Sequence, residues 1–164
     1  MYLPAGPVQP TRTALDAFYA AARAANPALA LSDDYRVRWI GLDAGTTHLI
    51  FELIRAGDKT GTFTLPWILE RTGQPEPRAG DSQILIDMHG KPTLLVRLTH
   101  VRAAVFGQVT ADDTAVDGSP VRDPAVWVPL HTQYWNELLR PFGLAVTDDM
   151  PFWVEHFELL YDAG

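Results

Sequence analysis

Cysteine is absent from the chain, which excludes disulfides, thiolate metal sites and a cysteine nucleophile, so any chemistry must rest on oxygen and nitrogen groups. Lysine is nearly absent: Lys59 and Lys91 are the only two, against eleven arginines. A net charge of −7 argues against wholesale binding of a polyanion, because nonspecific nucleic-acid affinity comes mainly from Lys and Arg neutralising phosphates. No apolar run approaches the roughly 20 residues needed to span a bilayer, and Met1 to Pro10 lacks the basic start and apolar stretch of a signal peptide. The expected location is therefore the cytoplasm, with no membrane partner. The histidines at 48, 89, 100, 131 and 156 are scattered without HxxxH spacing, so neither a metal nor another cofactor is expected.

What is present fits one globular domain: 164 residues, 47% apolar and 20% charged. Thr11 to Asn26 carries Leu15, Phe18, Tyr19 and Ala22 at helical spacing after a proline-rich start and predicts an amphipathic helix. Tyr35 to Leu42 has no clear period. Thr46 to Ala56 sets Leu49, Ile50, Leu53 and Ile54 on one stripe, with Thr46 or Thr47 as N-cap and Gly57 as the stop. Thr60 to Leu65 alternates as a strand does, and Gln74 to Gly80 breaks the pattern. Ser82 to Met88 and Thr93 to Phe106 read as strands joined by a turn at His89 to Pro92, where Lys91 is a solvated turn residue. A helix starts at Asp123–Pro124, or later because of Pro129, and runs to Pro141 with Leu130, His131, Tyr134, Trp135, Leu138 and Leu139 inward. Pro151 to Tyr161 closes the chain as a strand. The expected fold class is α+β, a small, mostly antiparallel β-barrel or curved sheet flanked by helices.

The stretch from Gly57 to Thr62 holds the most chemistry. It sets the scarce Lys59 beside Thr60 and Thr62 where a helical pattern gives way to a strand. Two readings of Lys59 compete: a cation near a helix C-terminus, favoured by the helix dipole, and a base beside a hydroxyl nucleophile. The threonines at 60, 62 and 64 likewise suit a half-buried strand as well as a site.

Gly57, Lys59 and Thr62 match the GxKxxT signature of the ASCH domains, small barrels of the PUA-like class. The order that follows is similar too: Pro75, Glu76 and Pro77 leading to Gly80 and Asp81, a hairpin with Asp87 and Gly90, a helix with His131 and Trp135, and a last strand through Val154, Glu155 and His156. The chain resembles the longer bacterial branch of that family, with residues 1–32 as an N-terminal helical extension and 33–164 as the ASCH domain.

The resemblance implies a concave site for a base or nucleoside, with RNA as a further possible partner. Some ASCH proteins are amidohydrolases that remove the acyl group of N4-acetylcytidine with a Lys, a Thr and a Glu. A relative is described as a ribonuclease, and others are thought to bind RNA. Carried over by position, the catalytic set is Lys59, Thr62 and Asp117, with Asp117 standing where the family usually has Glu in a Glu-Gly-Glu-Gly pattern. A shorter acid withdraws its carboxylate, and misplacement by about an ångström costs roughly 10²-fold in rate. Thr60, Thr64, Trp127 and His131 are the expected substrate-binding residues, although the bland reading makes His131 and the tryptophans core residues and Asp117 a turn former. Thr64 replaces an arginine common in the family, which on sequence grounds favours a nucleoside over a phosphorylated ligand. The scheme requires Lys59 in a loop, since residues three apart on one strand face oppositely.

Overall fold

A computed structural model describes residues 6–164; Met1 to Ala5, the start of the expected N-terminal extension, lie outside the described residues. Thr11 accepts a hydrogen bond from the Ala14 amide and caps helix α1 (Arg12–Ala25), whose Leu15, Phe18, Tyr19 and Ala22 pack on Ile84, Ile86 and Leu95. The unassigned segment contains a three-residue strand, β1 (Arg36–Arg38). Helix α2 (Ala44–Arg55) starts one turn earlier than the expected threonine caps. Asp43 is the N-cap, and Thr46 is its partner in a capping box, returning a bond to the Asp43 amide. Both residue types cap well, and the box uses them together.

Gly57 ends α2 with φ of 74°, a left-handed value that glycine adopts without the Cβ penalty. The amides of Asp58 and Lys59 then both donate to the Leu53 carbonyl, at 2.9 and 3.1 Å. Strand β2 (Gly61–Thr64) follows, then a short helix α3 (Pro66–Arg71), strands β3 (Ser82–Ile86) and β4 (Pro92–Val105), the single turn α4 (Ala111–Thr114), helix α5 (Pro124–Leu139) and strand β5 (Pro151–Asp162). Helix α5 begins at Pro124, in the first turn where a missing N–H is harmless, and it carries Pro129 within it. The short α3 lies in a segment with no predicted element.

The five strands form one sheet in the order β1-β3-β4-β5-β2, antiparallel except for β1 against β3. It is the expected α+β architecture: a curled, mixed sheet, a half-barrel, flanked by helices. Phe51 and Ile54 of α2 pack with Leu85, Leu94, Val96, Leu98 and Phe157, while α5 seats Trp127, Trp135 and Leu139 against Phe63, Phe106 and Phe152. This aromatic cluster dominates the core beneath α5: Trp127 is fully buried, and truncating such a residue typically costs about 3–5 kcal/mol. The two edge strands, β1 and β2, do not pair through their backbones. A side chain spans the seam instead: Arg38 of β1 donates through Nη2 to the Phe63 carbonyl of β2 at 2.7 Å and to Thr64 Oγ1 at 3.0 Å.

Candidate active site

The loop from Gly57 to Thr60 delivers Lys59 sideways into the half-barrel. Its ammonium does not cap the α2 carbonyls. It lies 2.9 Å from Asp117 Oδ1, with the lysine side chain 4% exposed and the aspartate 13%. Burial pushes the Lys59 amine below its ordinary value, and the facing Asp117 carboxylate only partly offsets this.

Asp117 is held from several sides. Its amide donates to the Thr114 carbonyl, its own Oδ1 accepts from the Gly118 amide, and the next turn is fastened to Asp58 by the Ser119 amide and the Arg122 guanidinium. The same loop is tied to the strand by the Thr60 amide, which donates to the Val116 carbonyl at 2.9 Å. Gly61 makes that approach possible: a Cβ there would sit 2.2 Å from the Glu155 carbonyl oxygen and 2.8 Å from Val116 Cβ.

Thr62 is the second residue of β2, buried, and opposite Glu155 on β5. Lys59, Thr62, Asp117 and His131 line one cavity of about 310 Å³, walled on its apolar side by Ile50 and Leu53 of α2 and by Val121. Such a volume lies at the small end of ligand pockets, which run from about 300 to 1,000 Å³, and it admits a single base or nucleoside. Lys59 precedes the strand and Thr62 lies in it, so the two residues reach the same space as the scheme requires.

His131 comes from α5. Its Nδ1 lies 2.9 Å from the Trp127 carbonyl, which accepts only, so Nδ1 carries the proton. Burial lowers the His131 pKa to about 4, so the ring is neutral near pH 7 and Nε2 is an acceptor. Trp127 stacks beneath it, ring centroids 4.0 Å apart and planes 19° from parallel. Trp127 therefore lines neither this cavity nor its neighbour; it supports His131 rather than offering a face to a ligand. Thr60 is exposed and also lies outside both cavity walls, its backbone pinned by Val116 and Phe157.

Thr64 faces a second, adjoining cavity, where it belongs to a network absent from the sequence reading. Its hydroxyl donates to Glu155 Oε2 at 2.5 Å and accepts from Arg38, and Arg38 Nη1 lies 2.7 Å from the same carboxylate oxygen. Glu155 is 1% exposed, and its carboxylate is met by both the guanidinium and the hydroxyl, as a buried acidic group requires. Arg38 thus brings a guanidinium beside Thr64, the position that lacks the arginine common in the family. The sequence signal was slight: a glutamate inside the apolar last strand and an arginine in a three-residue strand, 117 positions apart. Among the described residues no three of His, Asp and Glu converge as metal ligands, and no helix is long and apolar enough to cross a membrane.

The sequence model of the ASCH domain matches residues 39–161. The chain belongs to the ASCH domain family. Solved structures carry the same fold: an ASCH domain from Lactobacillus crispatus JV V101 superposes with a TM-score of 0.74 at 21% identity, covering 92% of this chain and 93% of that one. Protein EF3133 from Enterococcus faecalis V583 superposes with a TM-score of 0.78, also at 21% identity, covering 93% and 90%. No curated protein matches the sequence. In this ASCH domain the GxKxxT residues run from the loop that brings Lys59 to Asp117 into strand β2, where Thr62 lies.

Proposed function

We propose that the protein is an amidohydrolase acting on the N4-acyl amide of a cytosine or cytidine. The observation that carries this reading is the buried Lys59 ammonium 2.9 Å from Asp117, in the wall of a base-sized cavity that Thr62 also lines. A lysine in such a place loses its proton more readily than one in water, and a neutral amine is a competent base.

In the reaction, Lys59 Nζ takes the Thr62 proton while Oγ1 bonds to the acyl carbon, giving a tetrahedral intermediate. Its collapse breaks the carbon–N4 bond, and a proton passed from Lys59, directly or through Asp117, completes the leaving amine. Water, deprotonated by the again neutral Lys59, then releases the acid from Thr62. Asp117 fixes the ammonium between these transfers and orients it. Neutral His131, with Nε2 as acceptor, suits a donor on the base edge.

One feature favours a second reading, an RNA or modified-nucleotide binder without turnover: the facing Asp117 carboxylate opposes the effect of burial and helps Lys59 keep its proton. Metal-independent ribonuclease activity with Lys59 as base is the less favoured third. The deciding experiment is ultraviolet-monitored hydrolysis of N4-acetylcytidine and N4-benzoylcytosine by the protein and by Lys59→Ala. Turnover lost in the variant supports the amidohydrolase; no turnover with saturable cytidine or RNA binding supports the binder, and cutting of labelled RNA without added metal the third.

A further inference from the structure

The second cavity is larger, about 560 Å³, and meets the first across a partition to which Arg38 and Tyr134 contribute on both sides. Its chemistry differs. Arg36 and Arg38 are two apart on β1 and so point to the same face, and Gln83 is the register partner of Arg36 on β3, which puts it on that face too. All three line this cavity. In a chain of net charge −7, two guanidinium groups from one three-residue edge strand converge on one concave place.

Gln83 supplies an independent observation. It is 4% exposed, yet its Oε1 is buried without a hydrogen-bond partner among the described residues. A buried carbonyl oxygen left unpaired costs stability, and as an acceptor it is satisfied only by a donor, such as a hydroxyl that arrives with a ligand. Arg36 is also lightly engaged. It reaches the Pro75 carbonyl at 3.3 Å and Asp81 at 3.6 Å, with the side chain 38% exposed. Arg38, by contrast, is fixed by Glu155, Thr64 and the Phe63 carbonyl. One guanidinium is thus preorganised and the other free to turn, while the carboxylates facing them are Glu155, already shared with Thr64, and the more distant Asp81. Tyr134 stays a phenol, its pKa raised by burial, and remains a donor on the partition.

We propose that this cavity is a phosphate subsite, receiving the phosphate monoester of a nucleotide whose base lies in the Lys59 cavity. The proposal rests on the base-binding reading given above for the first cavity, and it makes the ligand a nucleotide in preference to a nucleoside. Arg36 swings from Asp81 to the phosphate, Arg38 marks the inner boundary, and a ribose hydroxyl of the nucleotide donates to the unpaired Gln83 Oε1.

The test is calorimetric titration of the protein, at low salt, with cytidine, cytidine 5′-monophosphate and inorganic phosphate, repeated on Arg36→Gln and Gln83→Leu. Both variants are expected to fold, since Arg36 is half-exposed on an edge strand and leucine matches the shape of the buried glutamine. The monophosphate is expected to bind on the order of tenfold more tightly than cytidine, as a charge-assisted contact would give. That preference, and the binding of phosphate alone, should fall away in Arg36→Gln while cytidine affinity holds. Equal affinity for the two ligands overturns the proposal, as does a preference that survives Arg36→Gln or an absence of binding by both phosphate probes. A monophosphate preference without amide turnover retains the subsite and removes the hydrolase; turnover without the preference does the reverse.

Discussion

Lys59 and Asp117 form a buried ion pair, 2.9 Å from nitrogen to oxygen, that joins the turn after α2 to the loop before α5. The two residues are 58 positions apart, and each is immobilised by backbone hydrogen bonds of its own loop. Removing one partner leaves the other poorly solvated. Asp117→Ala is expected to lower unfolding free energy by about 3 kcal/mol, because it strands a buried ammonium, and Lys59→Met by less, because Asp117 still reaches water at its 13% exposed edge. Urea denaturation of both variants and the double variant measures this; equal losses in the two single variants would contradict it.

The same pair governs the expected pH profile of amide hydrolysis. Lys59 acts as a base only when neutral, so the rate should climb as pH rises through its lowered pKa and level off above it. The Asp117 carboxylate holds the proton on Lys59. Asp117→Asn should therefore move the rising limb to lower pH while reducing the plateau through loss of orientation. A limb that stays in place, followed by initial rates on N4-acetylcytidine, would detach Lys59 from the base role.

His131 makes a separate prediction for stability. Its folded pKa, about 4, lies below the 6.5 of an unperturbed histidine, so between these values the unfolded chain binds more protons. Stability should then fall as pH drops from 6.5 toward 4, by roughly 2–3 kcal/mol across the window, and add no further loss below it. His131→Phe keeps a ring over Trp127 and should flatten this part of the curve. Guanidinium denaturation midpoints at several pH values compare the two proteins.

Gly61→Ala should be among the most damaging single-methyl changes. Its Cβ meets backbone oxygen of Glu155 and the Val116 side chain at distances that neither can relieve by rotating. A loss of roughly 1–3 kcal/mol is expected, with amide hydrolysis reduced beyond the loss of folded protein because the Asp117 loop is pushed off β2. Circular dichroism melting and specific activity separate the two effects.

Gln83→Leu carries the opposite sign. It removes an unpaired buried amide without opening a cavity, so the empty protein is expected to gain about 1 kcal/mol. A thermal midpoint below that of the unaltered chain would mean that the amide has a stabilising role in the free protein.

The elements legible in the sequence were those long enough for a period to repeat. Helix α1 follows its apolar spacing almost to the residue, and the β3 and β4 hairpin follows its Ile, Leu and Val runs. Strand β1 was not legible because three residues hold less than two periods, and two of them are arginines whose partners lie elsewhere in the chain. The α3 turn escaped for the same reason of length, starting on Pro66 with no side-chain cap. At the site, Lys59 and Asp117 were legible through the family motif and the position of an acidic loop. The roles of Trp127 and Arg38 were not, since one depends on how α5 rotates against the sheet and the other on which strands form the sheet edges.

Arg38 is both a fastener and a dividing wall. By crossing from β1 to β2 it closes a sheet whose backbone leaves those edges unpaired, and the same guanidinium separates the two cavities. Chamber size and barrel closure are therefore a single variable in this molecule. A shorter side chain at position 38 would merge the chambers into one long trough and unlatch the edge strands in the same step, so access for a bulkier ligand is gained only with a looser rim.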